Sequence, residues 1–316
     1  MRIVVSGSIA YDYIMFFPGY FKDHILPDQI DTLSVSFLVD SMKKQRGGCA
    51  PNIAYNCALL EERATVMGAA GQDFGEYRDW LEKHGVDTSA VREIADDFTA
   101  SFFVSTDRSH NQIASFYTGA MSQARHLSFH DLPHKDVAVA VISPNDPEAM
   151  RRHVRECRAL GIPYIYDPSQ QIIRLDGADI VEGARGARIL IVNDYEFEMA
   201  RKKTGLTEDD LQSIAPCVII TRGERGSTIF AKRERYDIPV APVARLADPT
   251  GVGDAYRAGI IKGLLRGYSW PTTGRMASLA AAYCLEEYGT QNHSYTYAEF
   301  MARFERAFGR AAELGT

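Results

Sequence analysis

Residues 137–160 read VAVAVISPNDPEAMRRHVRECRAL. The first six are apolar without a break, the pattern of a strand that helices cover on both faces. From Pro147 to Leu160 the pattern turns amphipathic. This change of period repeats outward in both directions. Strand candidates besides Val137–Ser143 are Arg2–Ile9, Ala64–Ala69, Pro163–Asp167, Ile189–Val192, Val218–Thr221 and Ser227–Ala231. Helix candidates are Asn52–Glu62, Tyr77–His84, Pro147–Leu160, Tyr195–Lys203, Asp254–Leu265, Thr272–Glu287 and Tyr297–Ala311. Such alternation predicts an α/β fold, a mostly parallel sheet between two layers of helices.

Two stretches break the rhythm. Asp12 to about Gln45 carries aromatics and strand-like runs, and Asp97 to about Gly119 alternates in TASFFVSTD and NQIASFYT. They read as two excursions that build a small β lid. The expected division is a core of residues 1–11, 46–96 and 120–316, holding the catalytic and nucleotide sites, under a lid of 12–45 and 97–119. No internal repeat is visible, which excludes the solenoid classes.

The 316 residues are 46% apolar and 24% charged, an ordinary globular composition that excludes a fibrous or disordered chain. A formal charge of -6 argues against a nucleic-acid surface, which needs clustered positive charge. Five scattered cysteines with no CxxC read as reduced thiols. No apolar run has the length of a membrane span, and MRIVVSGSIAYD reads as a first buried strand rather than a signal peptide. The expectation is a cytoplasmic protein with neither membrane nor nucleic-acid partner.

The chemistry concentrates in DPTGVGDAYRAG, residues 248–259. Gly251 and Gly253 open a helix, and the amides of a helix N-terminus favour an anion. Asp254 lies in the first turn. Two readings compete: a turn with a dipole-favoured acid, or an anion hole for a transferring phosphoryl group with Asp254 as the base on an attacking hydroxyl. There is no GxxxxGK[ST], and no GxGxxG follows the first strand, so P-loop and nicotinamide-dehydrogenase readings lose support.

DPTGVGD resembles the second signature of the PfkB, or ribokinase-like, carbohydrate kinases. The likeness extends through GSIAYD at 7–12, SFLVD at 36–40, RGGCAPN at 46–52, GAAGQDFGEYRDWL at 68–81 and IASFYTGAMSQAR at 113–125. It continues through NDPEAM at 145–150, DPSQQ at 167–171, NDYEFE at 193–198 and GTQ at 289–291. The set is similar to the adenosine kinase branch of that family. The resemblance implies a three-layer sandwich with a β lid, and a homodimer joined through it, which would cover the lid's exposed edges.

It also implies roles. Gly251, Val252 and Gly253 supply the anion hole. Asn193 and Glu196 lie near magnesium and the ATP phosphates, with Glu196 acting through water. Thr221, Gly223 and Gly226 match the TxGxxG loop beside ATP, and a monovalent cation such as potassium sits near the anion hole. Asp12 accepts from the ribose 2′- and 3′-hydroxyls. Gly47 and Gly48 form the lid hinge, and Asn52, opening a helix, faces the sugar. Ser8 and Ser36 are lesser acceptor contacts. Phe102 and Phe116 hold a purine between their rings. Gln170 and Gln171 contact the acceptor, and Arg174 reaches phosphate on closure. Without the resemblance, most of these residues read as turn formers, helix caps or lid core.

His126, His130 and His134 are spaced four apart, but Pro133 spoils a common helical face, so no metal site is assigned. Arg222 and Arg257 flank the phosphate motifs and are charge-stabiliser candidates; Arg257 reads equally as an ion-pair partner of Asp254 three residues earlier. The expectation is adenosine kinase chemistry, ATP and adenosine giving ADP and AMP. Two rivals stay open: a related kinase for another nucleoside or a sugar such as ribose or fructose, and a nucleoside-binding protein without catalysis.

Overall fold

A computed structural model of the chain describes residues 2–25, 34–132 and 136–314. The larger sheet runs β13 (Glu234–Ile238), β12 (Ser227–Ala231), β11 (Cys217–Thr221), β10 (Ile189–Asn193), β9 (Tyr164–Tyr166), β8 (Val137–Ile142), β1 (Arg2–Ser6), β4 (Ala64–Gly71) and β5 (Asp87–Ile94). Pairing is parallel from β5 to β11, and β12 and β13 fold back antiparallel. The smaller sheet runs β3 (Ser41–Gly47), β2 (Ala10–Phe16), β6 (Ala100–Thr106) and β7 (Gln112–Tyr117).

The apolar runs explain the layers. In β8, Val139 and Val141 point into one core cluster while Ala140 and Ile142 point into the other. The first cluster takes in α1 (Cys49–Leu59), α2 (Gly75–Lys83), α7 (Val252–Arg266), α8 (Trp270–Leu285) and α9 (Tyr297–Phe308). The second takes in α3 (Pro147–Leu160), α4 (Gly177–Gly186), α5 (Asp194–Thr204) and the short α6 (Glu208–Gln212). Each buried Val or Ile contributes about 1.5–3 kcal/mol, so strands apolar on both faces fix the three-layer sandwich. Among the described residues, no helix is long and apolar enough to cross a membrane.

Several elements differ from expectation. The first strand stops at Ser6, and residues from Ala10 onward join the lid sheet. Helix α1 begins at Cys49, three residues before Asn52, because Pro51 is tolerated in a first turn. Strand β13 was not expected. Its hairpin with β12 turns on Lys232 and Arg233, with φ of 53° and 66°. Asn-Gly usually marks such a turn, so the usual signal is missing. Helix α4 also escapes a pattern search because three of its ten residues are glycines; the reciprocal cap between Asp176 and Asp179 secures it.

The chain places β4 on one side of β1 and β8 on the other. That reversal opens a crevice at the carboxyl ends of the parallel strands, where ligands bind in open α/β sheets.

Candidate active site

Gly251 caps α7 with φ 79°, a left-handed conformation that favours glycine. Its closeness to Thr290 adds a second demand, since a Cβ there would lie 2.9 Å from that side chain. The first intrahelical bond runs from Ala255 N–H to the Gly251 carbonyl at 3.0 Å. The amides before it have no intrahelical acceptor. That of Val252 reaches the Pro249 carbonyl at a long 3.4 Å.

Asp254 is the third residue of α7. Asn52 Nδ2 donates to its Oδ2 at 2.9 Å. Burial pushes the carboxyl up to about 7, against the opposing effects of Arg257 and the Asn52 bond. A carboxylate at this value takes up a proton readily near neutrality.

Two cavities meet beside it. The first, of about 620 Å³, is lined by Ser8, Asp12, Gly48, Asn52, Phe102, Phe116, Gln170, Gln171 and Arg174 together with Gly251, Gly253 and Asp254. The second, of about 700 Å³, is lined by Asn193, Glu196, Thr221, Gly223, Gly226, Val252 and Gly253. Ser169, Gly253 and Arg257 border both. Sequence candidates from motifs spread along the chain thus assemble at the strand ends.

Ser36 does not join them. It is exposed and lies outside both linings, while its neighbour Phe37 packs against Phe17, Phe21 and His24. Gly47 ends β3, paired with Ala10, and lies outside both linings; a Cβ there would stand 2.7 Å from Asp12 Oδ2. Gly48 stands at φ 92°, and a Cβ there would lie 2.5 Å from the Ser8 carbonyl oxygen.

The lid register corrects the aromatic clamp. Phe102 pairs directly with Phe116 across β6 and β7, and Asp12 pairs with Phe102 across β2 and β6. Directly paired residues project to one face of a sheet. The two rings are therefore neighbours in a single floor, with Asp12 in the same row. Burial, then Asp248, pushes the Asp12 carboxyl up to about 6.

Arg257 is not the ion-pair partner of Asp254. Its guanidinium makes a two-pronged bond to Asp167, at the end of β9, and Nη1 donates to the Gly253 carbonyl at 2.8 Å. Both partners are buried, at 7% and 1% exposure. Burial alone would lower the Arg257 pKa, but Asp167 outweighs it and holds the guanidinium charged. Arg257 thus sits as a fixed charge at the junction of the cavities, where its sequence motif offered a charge stabiliser; its partner Asp167, ninety residues away in the chain, gave no sequence signal. Gln291 and Tyr77 carry no role in the motifs that contain them, and Cys49 stands in the hinge motif as a departure from the family pattern. Cys49 lines the first cavity, where burial, Asp254 and Asp167 keep its thiol protonated. Arg222, by contrast, bonds to Thr228 in the β11–β12 hairpin.

Asn193 and Glu196 cap α5 reciprocally. Asn193 Oδ1 accepts from Glu196 N–H, and Glu196 Oε2 accepts from Asn193 N–H, both at 2.8 Å. Burial and Asp167 push the Glu196 carboxyl up. No group of three or more His, Cys, Asp and Glu among the described residues is placed to hold a metal. His126 and His130 fall in separate short 3-10 helices, and His134 lies outside the described residues. One buried carboxylate is a thin donor set, and it suits magnesium, which keeps most of its waters and leans on phosphates.

The pfkB family carbohydrate kinase pattern matches residues 3–296. The nucleoside kinase of Methanothermobacter thermautotrophicus is 31% identical over 314 residues, spanning 97% of this chain and 96% of that protein. The structure of Burkholderia thailandensis nucleoside kinase in complex with inosine superposes with a TM-score of 0.87 at 38% identity, covering 98% of each chain. The same enzyme in complex with ADP-inosine gives 0.85 at 40% identity, covering 98% of this chain and 96% of that one. Methanocaldococcus jannaschii nucleoside kinase gives 0.87 at 25% identity, covering 96% of this chain and 98% of the other. With the sandwich, the lid and the helix-capped crevice in place, this chain belongs to the pfkB family of carbohydrate kinases, phosphotransferases that act on an alcohol group.

Proposed function

We propose that the chain is a nucleoside kinase that moves the γ-phosphoryl group of ATP to the 5′-hydroxyl of adenosine. The observation that carries this reading is Asp254, a carboxyl raised to about 7 where the two cavities meet. The acceptor lies in the first cavity and ATP in the second. Asp254 takes the proton of the 5′-hydroxyl as that oxygen attacks. The free amides at the start of α7 and the Arg257 guanidinium face the charge of the transferring group. Glu196 would hold magnesium through water, and the ion would supply charge neutralisation at the phosphates.

Acceptor recognition follows the lid row. Asp12 accepts from the ribose diol, and Phe102 and Phe116 form the surface on which a purine lies. Gln171 Oε1 is a buried acceptor with no partner among the described residues. It suits the 6-amino group of adenine. Inosine is the second reading, because the Burkholderia enzyme was solved with it and hypoxanthine offers an N1–H to the same oxygen. The lid strand β7 is exposed along its whole length, with Ile113, Phe116 and Tyr117 all more than 40% exposed. Such an edge supports the further expectation of a lid-to-lid homodimer.

The test is ADP formation from ATP and magnesium with adenosine, inosine, guanosine, cytidine, ribose and fructose. Adenosine should give the highest kcat/KM. A preference for inosine would transfer the assignment to that nucleoside, and a preference for a free sugar would remove the aromatic floor from it. No ADP with any acceptor, while adenosine binds, would leave a nucleoside-binding protein.

A further inference from the structure

Gln291 is 2% exposed and lies outside both cavity linings. Its Nε2 donates to Asn52 Oδ1 at 2.9 Å and to the Tyr77 hydroxyl at 2.5 Å. The Tyr77 hydroxyl donates in turn to the Gly47 carbonyl at 2.9 Å. Asn52 Nδ2 donates to Asp254 Oδ2. Each direction is set by counting hydrogens. The hydroxyl has one, which the carbonyl takes, so its oxygen accepts from Gln291. The Gln291 amide nitrogen has two, and both are used. Asn52 must then present its oxygen to Gln291 and its nitrogen to Asp254.

The chain spends an unpaired group on this arrangement. Gln291 Oε1 is buried without a partner among the described residues. Folded proteins rarely leave a buried oxygen so, because the lost hydration goes unreplaced. Here the nitrogen end is what the fold uses.

We infer that Gln291 is a positioning residue: its amide holds Asn52 in the orientation that donates to Asp254, and through Tyr77 it ties that orientation to the lid-hinge carbonyl of Gly47. This rests on Asp254 being the base. An Asn52 amide free to turn would bring its oxygen against the carboxylate, which favours the protonated acid. The hinge carbonyl and the base share one donor chain, so a displaced lid hinge leaves Asn52 less firmly held.

Other groups around Asp254 are Arg257 on α7, Asp167 after β9, Cys49 on α1 and Cys284 on α8; Asp248 acts on Asp12 and Cys284. Gln291→Met leaves all of them in place. It should raise the acid limb of the kcat/KM profile by about one pH unit, the scale of a lost bond to a charged group. At pH 6 the rate should fall about tenfold while the KM for ATP holds. Tyr77→Phe should raise the acceptor KM several-fold and move the acid limb in the same direction as Gln291→Met, by less. Gln291→Glu, close in shape, takes the place of Gln291→Met if that variant does not fold. A carboxylate there turns the Asn52 amide around and moves the limb the same way. Asp254→Asn is measured alongside. If it is inactive and Gln291→Met leaves the acid limb unmoved, the inference is overturned. If Asp254→Asn turns over normally, the base assignment falls instead. Equal changes in both KM values for Tyr77→Phe would overturn the tie to the hinge.

Discussion

Asp254→Asn should make the protein more stable, and only at the higher end of the pH range. Burial holds the carboxyl at about 7, against an ordinary 3.8. Below about pH 4 the folded and unfolded chains both carry the proton, and the native residue costs nothing. Between pH 4 and pH 7 the unfolded chain ionises first, so folding loses ground as pH rises. The difference amounts to about 4 kcal/mol by pH 8, an upper bound because the residue faces an open cavity. The amide variant keeps an acceptor for Asn52 Nδ2 and escapes this cost. At about 2 °C per kcal/mol for a chain of this size, the gain is roughly 5–8 °C at pH 8. It should shrink to nothing near pH 4. Calorimetric scans of the ligand-free protein at several pH values measure it. No gain at pH 8, or the same gain at pH 4, would refute the desolvated carboxyl.

Asp167→Asn should lower stability by about 3–5 kcal/mol, because it strands a buried guanidinium. Arg257→Met in the same chain should recover part of that loss. Urea unfolding reads both, and a single variant as stable as the parent would contradict the pairing. Asp12→Ala should weaken nucleoside binding, measured calorimetrically, far more than ATP binding. Equal weakening of the two would remove the ribose assignment.

Much of this molecule could be read from the chain, and the reasons differ by element. Runs such as VAVAVI leave few choices, because only a strand covered on both faces buries every residue. Asp254 stood out because glycines and an acid at a helix start concentrate one kind of chemistry. Strand β13 was hidden by a Lys-Arg turn that carries no turn signal. The aromatic clamp failed for another reason. Two Phe residues fourteen apart in the chain can face each other or lie side by side, and only the register of β6 on β7 decides. The same holds for Arg257. A helix neighbour three residues away was visible, whereas Asp167, ninety residues away, was not. Gln291 was legible as part of a motif, but its work depends on which end of an amide meets which partner.

We propose that Asp254 removes the proton from the attacking hydroxyl. The direct measurement is the turnover of Asp254→Asn with adenosine and ATP, alongside the dissociation constants for both ligands. Binding should stay within a few-fold of the native protein while turnover falls by about 10²–10⁴. Near-native turnover in that variant would contradict this role for Asp254.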